Sequence, residues 1–471
     1  MELLRTTSGS IRVALDSLQA KIQGTVLVQG DAHYDDIRQA WNRSVDQHPA
    51  VIVVAASATD ILKAVRFARE ENLGIAIQST GHGVVRPADG GMLIVTSRMN
   101  NVHIDPDEQT AWVEAGVKWG AVLEKAQAFG LAPLLGSSPT VGVVGYTLGG
   151  GMGWLARKYG MAADSVLVFE LVTAGGRLVR ASASENSDLY WALRGGGGGS
   201  FGIVTGMEIK LHPVSTVYGG NLIYPANMAK VVMLRYRDWI ASAPDELTSA
   251  IVLMNFPPIP AVPDFLRGKS AVMIRGCYTG SVKDGEALIQ AWLDWQPPLA
   301  NMWRAMPFSE VATISSDPED PMPGMITGAW MRVLSDAAID TLIKYGISVD
   351  GSSPLTVTEI RHAGGAIARV DKHASAFGNR NASLVLNLVG ATPTPEARAR
   401  MESHTSAMLE ELRPAMTGGV YLNFLDGKAA AERTKDAYLP ESYQRLMAVK
   451  ASYDPENRFR FGFNIPPASA N

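Results

Sequence analysis

The stretch Ile75-Ala76-Ile77-Gln78-Ser79-Thr80-Gly81-His82-Gly83 is a short apolar run that breaks abruptly into a polar loop with glycine on either side of a histidine. Such a run, bounded by turn residues, predicts a buried strand, so the loop leaves a strand end. Just upstream, Val51 to Val54 forms another apolar run, and Ser57 stands three residues before Asp60, a helix-capping spacing. Ile61, Leu62, Val65 and Ala68 then share one helical face, which Gly74 closes. Strand-like and helix-like segments alternate in this way to about Val214.

Downstream, a helical pattern from Val117 to Phe129 ends at Gly130 and is followed by Gly136-Ser137-Ser138-Pro139-Thr140-Val141-Gly142. Gly145, Gly149, Gly150, Gly151 and Gly153 follow closely, too much glycine for a packed helix. Val166 to Thr173, the turn Gly175-Gly176 and Leu178 to Ala181 predict a hairpin, and Ser187 is placed to cap a helix from Asp188 to Leu193. Five glycines, Gly195 to Gly199, lead into an alternating strand from Ile203 to Leu211. Beyond Ser215 glycine thins out. Helices such as Met228 to Ala241 and Asp284 to Trp295 interleave with strands such as Ser270 to Ile274 and Leu384 to Leu388, predicting a separate domain that begins near His212-Pro213 and runs to Met416. The tail holds a strand-like piece at Tyr421-Leu422-Asn423 and a helix from about Glu441 to Ala451.

Composition narrows the function. With 42 Lys+Arg against 46 Asp+Glu, the net charge of −4 offers no footprint for a nucleic acid or an anionic membrane. The single cysteine, Cys277, excludes an intrachain disulfide framework. The first twenty residues, MELLRTTSGSIRVALDSLQA, hold no apolar run of signal-peptide length, and no segment reaches a membrane span, which predicts a cytoplasmic protein. No HExxH or GxxxxGK[ST] occurs and the eight histidines are scattered, so no metal is expected. Gly197, Gly199 and Gly202 match GxGxxG, and Gly198, Ser200 and Gly202 match GxSxG. Both motifs need a helix next, and a strand follows instead.

Three glycine-rich loops survive, at Gly81 to Gly83, Gly136 to Gly153 and Gly195 to Gly202. Bare backbone N–H groups at several strand and helix ends suit a large anionic, planar ligand such as a dinucleotide. The same glycines would equally serve tight turns in an ordinary sheet domain. His82, on unhindered backbone, is able to come close to a ligand ring.

These motifs carry a resemblance. His48-Pro49-Ala50-Val51-Ile52-Val53, Ser79 to Gly83, Gly136 to Gly142, Leu148 to Gly151, Asp188 to Gly197 and Phe201-Gly202-Ile203-Val204-Thr205 resemble the PCMH-type FAD-binding domain of the vanillyl-alcohol-oxidase superfamily. Tyr453-Asp454-Pro455-Glu456-Asn457-Arg458-Phe459 through Asn464-Ile465-Pro466-Pro467 is similar to the C-terminal signature of its berberine-bridge-enzyme-like branch. The resemblance implies an α+β fold. A two-part FAD-binding domain (1–213 plus the returning 417–471) would flank a substrate domain (214–416) built on an antiparallel sheet covered by helices.

It also implies roles. His82 matches the histidine that bonds to the flavin 8α-methyl carbon, raising the flavin's potential. Ser138 replaces a cysteine that makes a second link in plant-type members, which leaves a single covalent link. Ser79, Thr80, Gly81, Gly83, Ser138, Thr140, Gly142, Gly145, Gly149, Gly150, Gly202, Val204 and Asn464 fall at cofactor-binding positions. Val141, small where leucine would hinder dioxygen, points to an oxidase that takes hydride from an alcohol, sugar or amine carbon and returns electrons to O2 as H2O2. A flavin dehydrogenase with another acceptor, or a flavin binder without turnover, is the alternative. Tyr421 and Asn423 match a YxN pattern near the flavin; a cation-depressed Tyr421 would serve as base, with seam packing as its competing role. Tyr146, Glu359, Arg361 and His362 are further candidates, while His103 and His212 are read as structural.

Overall fold

The computed structural model describes residues 8–349 and 351–469, so the N-terminal stretch read for a leader lies partly outside it. Strand β1 (Thr25–Leu27) pairs antiparallel with β2 (Val51–Val54), and β4 (Met92–Val95) lies parallel between β2 and β3 (Ile75–Gln78). The buried runs of β2 and β4 reflect a sheet covered on both faces. The helix Ala58–Glu70 joins β2 to β3, and Ser57 caps it by accepting from Asp60 N at 3.2 Å. A second sheet is antiparallel, in the order β5 (Val102–Asp105), β6 (Thr110–Glu114), β9 (Ile203–Lys210), β7 (Val166–Val172), β8 (Leu178–Ser182).

The third sheet is the largest, eight strands, all pairs antiparallel. Its strands are β10 (Thr216–Pro225), β11 (Leu247–Asn255), β12 (Ser270–Tyr278), β13 (Ala300–Asn301), β14 (Arg304–Pro307), β15 (Gly324–Met331), β16 (Val357–His362) and β17 (Leu384–Ala391). They run β13-β10-β12-β11-β16-β17-β15, with β14 also on β10. Helices Ala229–Ile240, Val282–Trp295, Asp336–Gly346 and Pro395–Leu412 pack Val232, Trp292, Ile339 and Met408 against one face. The opposite face meets the glycine-rich loops.

The tail does not stay with this sheet. Leu446, Val449, Phe463 and Ile465 join the core of the five-stranded sheet alongside Trp119 and Phe169. Lys450 and Asp454, both fully buried, pair at 2.6 Å, and Lys450 also donates to the carbonyls of Ser200 (2.7 Å) and Phe459 (2.8 Å). Asp454 accepts from the Arg458 and Phe459 amides. All charged valences of the pair are thus met, the condition under which a buried ion pair is tolerated.

Three local expectations differ. The glycine-rich stretch does hold a short helix, Val143–Leu148, with Gly145 inside it. The piece at Tyr421 is a 3-10 turn, Leu422–Phe424, not a strand. Ser187 is the first helical residue rather than the cap, because Asn186 adopts the left-handed conformation (φ 44°) at that place.

Candidate functional site

The loop after β3 is held by backbone contact with the segment before it. Trp41 N donates to the Thr80 carbonyl (3.1 Å) and Asn42 N to that of Gly81 (3.2 Å). Gly81, at φ 79°, lies so close that a Cβ would sit 2.6 Å from Ala40 Cα. This pinning presents the half-buried His82, whose ring stacks on Trp41 with centroids 4.1 Å apart. His82 Nε2 shares a hydrogen bond with Thr140 Oγ1 at 3.2 Å, and Thr140 Oγ1 with Ser138 Oγ at 3.0 Å. Burial first, and Lys118 in addition, push the His82 pKa down to about 4 against an opposing backbone contact at Thr140, so the imidazole is neutral near pH 7.

The other predicted cofactor residues divide. Around Gly83 and Gly145 an added Cβ would meet nothing within 4 Å, so both are open backbone. Among the described residues, Ser79 Oγ and Asn464 Oδ1 are buried without a hydrogen-bond partner. Polar atoms of a bound ligand would satisfy them, and with the open backbone at Gly83 and Gly145 these residues fit FAD. Gly142 opens the helix Val143–Leu148 directly beside Ser79, 3.1 Å from its Oγ to a built Cβ. Gly149 and Gly150, by contrast, make room for protein: Asn423 Oδ1 would lie 1.9 Å from a Cβ at the first and the Phe377 ring 2.7 Å from one at the second. Gly202 abuts Leu171 and the Val172 carbonyl, and Val204 is core within β9. Val141 is half-buried, its carbonyl accepting from Trp119 N.

A second cluster stands at the seam with the large sheet. The Tyr421 hydroxyl oxygen accepts from Met152 N (2.9 Å), Gly151 N (3.1 Å) and Asn423 Nδ2 (3.0 Å), and Asn423 Nδ2 also reaches the Tyr146 carbonyl (3.0 Å). The expected depression of Tyr421 does not occur: burial raises it to about 12, outweighing those donors and Arg361. Tyr146 packs edge-on against Trp119, and its buried hydroxyl has no partner among the described residues. Arg361 Nη1 approaches the Met152 carbonyl at 3.5 Å. His362 faces away, with Nε2 3.0 Å from Arg157 Nη1, and burial plus that guanidinium hold its pKa near 3. His212 stacks on Tyr159 at 4.1 Å, a structural role; His103 lies exposed on β5.

Trp41 was not among the predicted residues; its signal is a tryptophan within an otherwise polar stretch. Among the described residues no three His, Cys, Asp or Glu side chains cluster as metal ligands, and no helix is long and apolar enough to cross a membrane.

Residues 49–182 match the family described as "FAD binding domain" and 420–466 that described as "Berberine and berberine like". The chain is 30% identical over 462 residues to an uncharacterized FAD-linked oxidoreductase of Bacillus subtilis, covering 95% of this chain and 98% of that one. It is also 30% identical over 471 residues to (R)-6-hydroxynicotine oxidase of Paenarthrobacter nicotinovorans, covering 95% and 97%. The structure of 6-hydroxy-D-nicotine oxidase from Arthrobacter nicotinovorans superposes with a TM-score of 0.80 at 26% identity over 95% of this chain and 98% of that chain. Berberine bridge enzyme from Eschscholzia californica shares the fold, with a TM-score of 0.83 at 20% identity over 97% and 100%.

Proposed function

Because the chain belongs to the berberine-bridge-enzyme-like family of FAD-linked oxidoreductases, we propose that it is an oxidase acting on an alcohol, sugar or amine carbon of a small molecule. His82 carries this reading: a neutral imidazole on open backbone, aligned by Trp41 and Thr140. FAD bound here would supply a two-electron acceptor for substrate hydride, with O2 as the final acceptor and H2O2 as the product. His82 would hold it by a single covalent bond to the 8α-methyl carbon, since the hydroxyl of Ser138 offers no thiolate for a second. Ser79 and Asn464 would engage its polar atoms, with Gly83 and Gly145 admitting it closely.

Around the substrate, three N–H donors converge on the Tyr421 oxygen and burial keeps its hydroxyl protonated near neutral pH, so Tyr421 would position substrate by donating a hydrogen bond rather than serve as the base. Asn423 fixes that oxygen relative to Tyr146. Residues 1–213 with 417–471 serve as the cofactor unit and 214–416 as the substrate unit. A cytoplasmic setting belongs to this reading, supported by the single cysteine.

The test is acid denaturation of the purified holoprotein, followed by the visible spectrum and peptide masses of the protein fraction. Flavin on the His82 peptide is expected, and His82→Ala moves it to the supernatant; colourless wild-type protein would remove the covalent link. Val141→Leu, assayed by stopped-flow reoxidation of reduced enzyme, is expected to slow the O2 step about tenfold. An unchanged rate would favour a non-O2 acceptor.

A further inference from the structure

Trp41 and Asn42 face two ways. Their backbone N–H groups donate to the Thr80 and Gly81 carbonyls of the His82 loop, while their side chains reach into the part of the chain read as the substrate unit. Trp41 Nε1 donates to the Glu319 carbonyl at 3.0 Å. Asn42 Nδ2 donates to the Gly324 carbonyl at 3.1 Å, and Asn42 Oδ1 accepts from Gly324 N at 3.3 Å. Arg43 N adds a bond to the Met322 carbonyl at 3.1 Å.

These acceptors lie in a strap between two fixed ends. Upstream, the 3-10 helix Phe308–Ile314 buries Phe308, Val311 and Ile314 in the core of the five-stranded sheet; downstream, Gly324 begins β15. Between them Pro318 to Pro321 stand exposed. Pro318, Pro321 and Pro323 fix φ and carry no N–H, so the strap is stiff and is held by what donates to it.

The strap therefore touches His82 through one side chain. Trp41 covers a face of the imidazole with the ring planes 18° apart, and its bond to Glu319 removes the indole's freedom to rotate away. Thr140 engages the imidazole edge at Nε2. The ring is thus oriented from two sides, by Thr140 of the cofactor unit and, through Trp41, by the substrate unit. A nucleophile gains most of its rate from being held in such a narrow range of approach.

We propose that Trp41 is a positioning residue for the flavin link and that the strap sets it, so that the bond at His82 forms efficiently only once the two units have docked. This rests on the covalent-FAD reading and adds an order to it. In that step a bond joins a His82 ring nitrogen to the 8α-methyl carbon, a methyl C–H and the imidazole N–H are lost, and two electrons and two protons pass to O2 as H2O2.

Full-length holoprotein is purified at intervals after induction and precipitated in acid, and flavin is measured in pellet and supernatant. Trp41→Phe keeps a ring on His82 and loses the N–H donor; it should slow the rise of the covalent share about fivefold, the worth of one hydrogen bond. Trp41→Leu also loses the stack and should slow it roughly threefold more. Pro318→Gly changes only the strap and should slow it about two- to fivefold. A merely structural role would weaken cofactor binding itself. The same substitutions are therefore placed on His82→Ala protein, where FAD, followed by quenching of its fluorescence, should bind within about twofold of His82→Ala alone. Attachment in Trp41→Leu at the parent rate would overturn the proposal, as would a loss of FAD affinity in the His82→Ala background that matches the loss of rate. If Trp41→Leu does not fold, Trp41→Phe and Pro318→Gly decide by the same readings. A parent with flavin only in the supernatant removes the covalent reading and the proposal together; a covalent parent with unaffected variants removes the proposal alone.

Discussion

At Gly83 and Gly145 a Cβ would meet nothing within 4 Å, whereas at Gly196 it would meet the Ala192 carbonyl at 2.2 Å and at Gly197 the Leu422 and Phe463 side chains at 3.2 Å. The two regions look alike in sequence, and both follow a regular element. In the His82 loop Gly81 admits the Ala40 backbone while Gly83 leaves space; in the Gly195 to Ser200 run Gly196 closes on the preceding helix and Gly197 takes in the tail. There Tyr438 donates to the Gly196 carbonyl at 3.0 Å, Ser200 Oγ to that of Phe463 at 2.6 Å, and Lys450 to that of Ser200 at 2.7 Å. Glycine density signals close approach, and only the neighbours say whether the approaching body is a ligand or another part of the chain.

The largest effect should come from the tail side. Lys450→Met leaves Asp454 charged and buried without its cation, and urea unfolding should show a loss of about 3–5 kcal/mol. A loss under about 1 kcal/mol would mean that the tail is not clasped to the run. Gly196→Ala forces a methyl onto a carbonyl and should cost roughly 1–3 kcal/mol by the same measurement.

Acid should expose an intermediate effect. His82 and His212 are depressed to about 4 and His362 to about 3, each mainly by burial. Unfolded histidines take up protons near pH 6.5, before these do, so stability should fall as pH drops from about 6.5 through about 4, by at most about 1.4 kcal/mol per unit for each group. A melting temperature flat across that window would contradict the burial of these rings, and His212→Gln should flatten the slope by roughly a third if the three contribute alike. Smallest of all, Gly83→Ala should change stability by less than about 0.5 kcal/mol. Its signature is instead a lower flavin content after expression, which the open backbone requires if it receives a cofactor.

What the sequence shows well is whatever short-range physics decides. The strand Ile75–Gln78, the Ser57 cap and the helix that the tail begins at Pro440 all rest on neighbours within a turn or two. His82, Ser138 and Thr140 are legible as a set only through the family resemblance, and they do meet. Trp41 over His82 and Arg275 beside Glu359 are not, because the first contact is made by one loop packing on another and the second by strand order and register. Tyr421 is legible as a residue but not in its electrostatics, since a depressing cation can be expected from the pattern while the burial that outweighs it cannot.

The clasp of Lys450 on Ser200 has a consequence in time as well as in space. Its partners are 250 residues apart, and at synthesis rates of about 5–20 residues per second the run is made roughly 12 to 50 s before the lysine that locks it. During that interval the five-stranded sheet lacks Leu446, Val449, Phe463 and Ile465 from its core. The core of the five-stranded sheet is thus completed only after the His82 loop and the glycine-rich run have both been made.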